Sequence, residues 1–305
     1  MPDQKVVYDL GGVTIGGLPG EYAPVMIGSI FYSGDPCLSN PITGEFDADH
    51  ALRLLETDRL MSEKHGLPRI IDIIGETGEA MRAYIDFVAK ADDAPFLIDS
   101  MRPEVRMAGA AYAMDRGLGE RAIYNSIDVH WSENEIEGLS KCGIKAGVIL
   151  AFDAAHIKPD ARMELLRGSG DIPGLLEVAQ RAGLEKVLID PGVLDLVSMG
   201  WTSRAIAMIK EETGLPCGCA PSNALYSWRK KARLETPVFE AAGAAILCRP
   251  VYAGADFLFY GPLSNASWAY PAVGVAASLV AYEARLQRRR PKKDSHPLYR
   301  LFGQG

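Results

Sequence analysis

The sequence predicts an α/β fold, a (β/α)8 TIM barrel preceded by an N-terminal β-hairpin, on three observations. Eight short β-branched or aliphatic runs recur along the chain, helical patterns lie between most of them, and several runs are apolar almost throughout. Alternation of strand and helix implies parallel pairing. Continuously apolar strands suit a sheet covered on both faces, as in a barrel or a doubly wound fold, and eight repeats favour the barrel.

Taken in order, residues 6–15, with Gly11-Gly12 at their centre, read as a hairpin that precedes the barrel and covers its lower mouth. The glycine-rich stretch Gly16 to Gly20 precedes a strand, whereas a phosphate-binding loop must follow one and open a helix. Strands are expected at 25–27, 69–74, 95–98, 122–125, 146–152, 186–189, 216–219 and 256–260. Helical spacing of apolar residues places helices at 48–65, 79–91, 104–117, 132–142, 172–183 and 203–214. Ser132 followed by Glu135 forms a capping box, and Gly117, Gly143, Gly183 and Gly214 stand where helices should stop. A long closing helix at 265–289 leads into a basic run and a polar tail. With 305 residues, 48% of them hydrophobic, and no low-complexity linker, residues 1–305 are read as a single domain.

A formal charge of −7 lacks the clustered cations that nucleic-acid binding needs, so no nucleic-acid partner is expected. The five cysteines are scattered and odd in number, and no signal peptide is read, which points to a reducing, cytoplasmic setting. The longest apolar stretch, around residues 271–281, falls short of the roughly 20 residues needed to cross a bilayer and is read as a buried helix, so no membrane span is expected. Cys217 and Cys219 share one face of a strand, but no His or Cys partner stands at zinc-ligand spacing, so they are read as buried thiols and no metal is expected. His50, His65, His130, His156 and His296 form no paired motif, and His130, near the strand-four loop, is read as a surface residue.

In a β/α barrel the ligand-facing residues stand at the C-terminal strand ends, where the active-site loops open. Strand three ends in Asp99-Ser100, strand four in Asn125-Ser126, strand six in Asp190-Pro191 and strand seven in Ser222-Asn223. Carboxylates accept N–H bonds while an amide both donates and accepts, a combination that suits the edge of a flat heterocycle such as a reduced pterin. Each residue also has a local reading: Asp190 before a proline as a loop cap, Asn125 as an Asx-turn.

These four pairs resemble the pterin-contacting set of the corrinoid-dependent methyltetrahydrofolate methyltransferases, of the pterin-binding barrel superfamily. Residues 8–17, 30–32, 94–100, 123–127, 147–152 and 260–266 resemble the H subunit of tetrahydromethanopterin S-methyltransferase over almost the whole chain. Bacterial relatives of that subunit act as methylcobamide:tetrahydrofolate methyltransferases in the demethylation of glycine betaine and similar methylamines. Asp190-Pro191-Gly192 looks more like the folate-using enzymes, which tilts the expected pterin toward tetrahydrofolate.

The resemblance implies that Asp99, Asn125 and Asp190 hold the pterin ring, with Ser100, Ser126 and Ser222 beside them, and that Asn223 reaches N5, the atom that gains or loses the methyl group. It further implies a separate corrinoid protein carrying the methylcobamide, and a homodimer. The cluster Arg229, Lys230, Lys231 and Arg233 is open to two readings: a contact for the glutamate tail of folate or for an acidic face of the corrinoid partner, or a solvated helix face. Two alternatives stand beside the main one. A dihydropteroate synthase shares the barrel but presents basic residues at the end of strand eight, where 257–262 has none. An extramembrane subunit of a tetrahydromethanopterin methyltransferase complex would use the other pterin.

Overall fold

The computed structural model describes residues 5–155 and 157–303. Eight parallel strands make one sheet: β1 (Val25–Ile30), β2 (Arg69–Ile74), β3 (Phe96–Asp99), β4 (Ala122–Ile127), β5 (Ala146–Leu150), β6 (Lys186–Asp190), β7 (Gly218–Cys219) and β8 (Phe257–Pro262). Hydrogen bonding runs in the order β6-β5-β4-β3-β2-β1-β8-β7. The ring closes between β6 and β7, where Ile189 bridges Cys217 and donates its N–H to the Pro216 carbonyl at 2.9 Å. The expected barrel is therefore the observed one.

Strand alternation divides the apolar residues between two layers. Val25, Ile27, Ile70, Leu97, Ile123, Val148, Leu188, Phe257 and Phe259 fill the inside of the barrel, together with Leu10 and Ile15. Those last two come from the antiparallel hairpin Val7–Leu10 and Val13–Gly16, which plugs the N-terminal end as its sequence suggests. The intervening residues, among them Met26, Ile71, Ile73, Ile98, Tyr124, Ile149 and Leu258, meet the surrounding helices.

The helices are α1 (Ala48–His65), α2 (Gly78–Ala91), α3 (Pro103–Asp115), α4 (Glu133–Cys142), α5 (Pro159–Arg167), α6 (Leu175–Arg181), α7 (Met199–Thr213), α8 (Ser222–Ala232), α9 (Thr236–Tyr252), α10 (Ala266–Ala284) and α11 (Pro297–Phe302). Ser132 caps α4 by accepting the Glu135 N–H at 3.3 Å, but the Glu135 carboxylate turns away to Arg106, so only half of the capping box forms. Gly143 and Gly214 end α4 and α7 in left-handed conformations, φ 81° and 74°, which cost glycine no Cβ clash.

Several boundaries differ from expectation. The helix expected at 172–183 starts only at Leu175, because residues 168–173 form a small hairpin turned by Gly168 and Gly170, both at positive φ. Helix α5 precedes it, polar enough to escape notice, with only Arg162, Met163 and Leu166 buried. The seventh strand keeps two residues of an expected four, and two helices, α8 and α9, follow it. The closing helix stops at Ala284, and the basic run and tail beyond it are tied back to the barrel: Lys292 pairs with Glu21 at 3.2 Å, Arg289 donates to the Pro19 carbonyl at 3.2 Å, and α11 packs on α10. No described helix is long and apolar enough to cross a membrane.

Candidate active site

The inward-facing positions turn from apolar to polar near the C-terminal end of the strands. On β1 the inner face runs Val25, Ile27, Ser29; on β2, Ile70, Asp72; on β3, Leu97, Asp99; on β4, Ile123, Asn125; on β6, Leu188, Asp190. Register places Ser29 beside Asp72 and Asp99 beside Asn125. A contiguous polar arc on β1 to β4 therefore faces Asp190 on β6 across the mouth. Asp72 and Ser29 escape a reading of strand ends because they stand inside their strands. The available signal is a carboxylate within the otherwise aliphatic run 70–74, in phase with Ile70.

Asp72 is buried, and its Oδ2 accepts the Ser29 hydroxyl at 2.7 Å. Its Oδ1 is also sealed from solvent and has no hydrogen-bond partner. Burial pushes the Asp72 carboxyl up to about 6, against the Ser29 hydroxyl, Asn125 amide and Asp99 carboxyl that favour its charged form. Burial also pushes Asp99 well above the carboxylate range, and the neighbouring Asp72 charge adds to the effect, while Arg106 opposes it. Two buried carboxyls on neighbouring strands resist being charged together, so the pair favours sharing a proton over double ionisation. A neutral carboxyl donates one hydrogen bond and accepts others, so the pair presents both functions to a ligand.

Asp190 is buried, and its Oδ1 accepts the Gly192 N–H at 2.7 Å, the loop-cap arrangement open to an aspartate before proline. That bond leaves Oδ2 for a ligand. Burial pushes the Asp190 carboxyl up to about 7, with the Gly192 N–H and the Arg162 charge holding it down.

The remaining predicted residues fall around this arc. Ser100 is buried, its hydroxyl accepting the Arg102 N–H at 3.3 Å, and its carbonyl is gripped by Arg106 Nη1 at 2.8 Å. Arg106 also binds the Tyr124 hydroxyl at 3.1 Å and Glu135 at 2.7 Å, so the turn after β3 is clamped from behind the sheet. Ser126 is half-buried in β4, where the register with β5 shifts between Asn125 and Ile127. Ser222 and Asn223 do not end a strand: Pro221 fixes φ at −71° and both lie in the first turn of α8. Ser222 is buried against the C-terminal end of β8, 3.1 Å from where a Gly261 side chain would start. Asn223, one residue on, is exposed at that rim.

Cys217 and Cys219 are fully buried, and burial pushes both thiols well above their ordinary range. His130 is exposed, and His156 lies outside the described residues. Arg229 stacks on Phe239 at 4.4 Å and bonds Thr236 at 3.2 Å, which leaves Lys230, Lys231 and Arg233 as the exposed part of that cluster.

A model of the family described as tetrahydromethanopterin S-methyltransferase MtrH subunit matches residues 3–289. The H subunit of tetrahydromethanopterin S-methyltransferase from Methanothermobacter thermautotrophicus is 36% identical over 308 residues, covering 98% of each chain. The H subunit of a putative mtx methyltransferase from Methanosarcina barkeri is 34% identical, covering 97% of each. Among solved structures, the chain resembles Yersinia pestis dihydropteroate synthase with a pterine-sulfa conjugate, TM-score 0.61 at 14% identity over 93% of this chain and 100% of that one. Dihydropteroate synthase from Coxiella burnetii in complex with pteroic acid gives TM-score 0.60 at 17% identity, over 92% and 99%. At such identities these two establish the shared barrel fold.

Proposed function

This chain belongs to the MtrH family of tetrahydromethanopterin S-methyltransferase subunits, and from that premise we propose that it transfers a methyl group between a corrinoid carried by a separate protein and N5 of a reduced pterin bound in the barrel mouth. The observation that carries this reading is the polar arc of Ser29, Asp72, Asp99 and Asn125 facing Asp190 over an apolar barrel interior. Asp99 and Asn125 supply the mixed donor and acceptor edge that a pterin ring needs, and Asp190 Oδ2 accepts a ring N–H. Asn223 stands on the exposed rim, where its amide serves N5 in either protonation state.

The methyl moves by in-line displacement from cobalt to nitrogen, so the chain contributes alignment and charge placement rather than a nucleophile of its own. The corrinoid protein docks on the same rim, over α8, with Lys230, Lys231 and Arg233 available to an acidic partner face. The assembly on this reading is a homodimer that receives the loaded corrinoid protein.

For the pterin we propose tetrahydrofolate, with a place in the demethylation of glycine betaine or a similar methylamine; Asp190-Pro191-Gly192 supports this choice. A second reading, a subunit serving tetrahydromethanopterin within a larger complex, is favoured by the names that the relatives carry. A dihydropteroate synthase activity is disfavoured by the absence of Lys and Arg from β8. Mixing the protein with methylcob(III)alamin and each pterin in turn, and following cob(I)alamin formation spectroscopically, tests the proposal. Turnover with tetrahydrofolate is expected; turnover with tetrahydromethanopterin alone would replace it by the second reading.

A further inference from the structure

Behind β6 lies a buried cation with little to hold it. Arg162, on α5, is fully buried, yet only Nη1 has a partner, the Thr202 hydroxyl at 3.0 Å; Nε and Nη2 are sealed from solvent with none. No carboxylate among the described residues comes within ion-pairing distance of it. Arg106, which grips the turn after β3, has all three of its nitrogens engaged. A guanidinium left so poorly matched in a dry interior is costly, and such a site calls for a reason beyond packing.

Its surroundings supply one. The Thr202 hydroxyl in turn donates a hydrogen bond to the Gly192 carbonyl at 2.8 Å, and the Gly192 N–H donates to Asp190 Oδ1 at 2.7 Å. Phe152 fills the space between, its ring 5.7 Å from the guanidinium carbon and its Cβ only 2.5 Å from where a Gly192 side chain would start. Arg162, Thr202, Gly192 and Asp190 thus form one continuous relay.

We propose that Arg162 is a positioning residue for Asp190, fixing the Pro191-Gly192 turn through Thr202 so that the carboxyl meets a pterin N–H, and setting a positive charge close behind it. This inference rests on the pterin reading above. The groups facing Asp190 are Arg162 from α5 and the thiols of Cys217, just before β7, and Cys219, on it, which burial keeps neutral, so Arg162 is the positive charge acting on it.

The test is the titration of Asp190, read by isotope-edited NMR of the aspartate carboxyls in the ligand-free protein, alongside pterin binding and turnover. In Arg162→Met the Asp190 midpoint should rise by about one pH unit or more. Pterin affinity at neutral pH should fall about tenfold, with limiting kcat changed less than about twofold; Arg162→Lys should recover most of the loss. A folded Arg162→Met protein that titrates Asp190 as the wild type does would overturn the proposal. Should Arg162→Met not fold, Arg162→Gln removes the charge while keeping an N–H for the Thr202 hydroxyl, and an unchanged Asp190 midpoint there overturns it equally. If the wild type binds no pterin while Asp190 still follows Arg162, the pterin reading fails and the Arg162 relay stands.

Discussion

Asp190 shows how a single residue links the site to stability. Its folded carboxyl is pushed up to about 7 from an ordinary 3.8, so between those values the folded state holds a proton that the unfolded chain has lost. Stability from this group therefore falls as pH rises through that window, and the penalty is complete above it. Asp190→Asn keeps an oxygen for the Gly192 N–H and should raise Tm by a few degrees at pH ~8 while leaving it nearly unchanged at pH ~4, measured by calorimetry. Asn223 is the opposite case, exposed and with little structural duty. Asn223→Ala should lower the methyl-transfer rate on the order of 100-fold with pterin Kd changed only a few-fold, read by single-turnover kinetics and binding titration. Equal losses in both would remove its special part. Asp99, Asn125 and Asp190 were legible because a polar residue that closes an apolar strand adds nothing to the packing of the barrel. Asp72 was not, since attention to strand ends passes over a carboxylate one turn of the pleat deeper. Arg162 was hidden further, because a cation on a short polar helix looks solvated until the fold buries it.

At the scale of elements, the N-terminal hairpin is part of the core rather than an appendage. Leu10 and Ile15 are each 1% exposed and pack into the same inner layer as the barrel strands. Leu10→Ala should cost about 2–5 kcal/mol in urea denaturation, with pterin affinity little altered because the hairpin lies at the opposite end from the polar arc. A second tie joins α1, β2, β8 and α10: Asp58 accepts the hydroxyls of Tyr260 and Tyr270 at 2.6 and 2.7 Å and Arg69 at 3.2 Å. Asp58→Ala would strand a buried guanidinium contact and two buried hydroxyls, a loss of about 3–5 kcal/mol visible in the same denaturation experiment. The strands were readable from apolar runs, and α1 to α4 from helical spacing. The segments 157–174 and 220–252 were not, because glycine turns, short polar helices and a two-residue strand carry little periodicity.

For the molecule as a whole, eightfold alternation was enough to find the barrel, whereas the chemistry needed three-dimensional placement. Closure of the sheet brings residues from β1, β2, β3, β4 and β6 to one mouth although Ser29 and Asp190 lie far apart in the chain. Family membership supplies the methyl-transfer class, and the polar arc is the place we propose for the pterin ring. On the function proposed here, this arc binds a reduced pterin. Calorimetric titration of 5-methyltetrahydrofolate into the wild type and into Asp99→Ala and Asn125→Ala tests it most directly. Saturable one-site binding that weakens at least about tenfold in each variant is the predicted result; binding that is unaffected by both substitutions would contradict it.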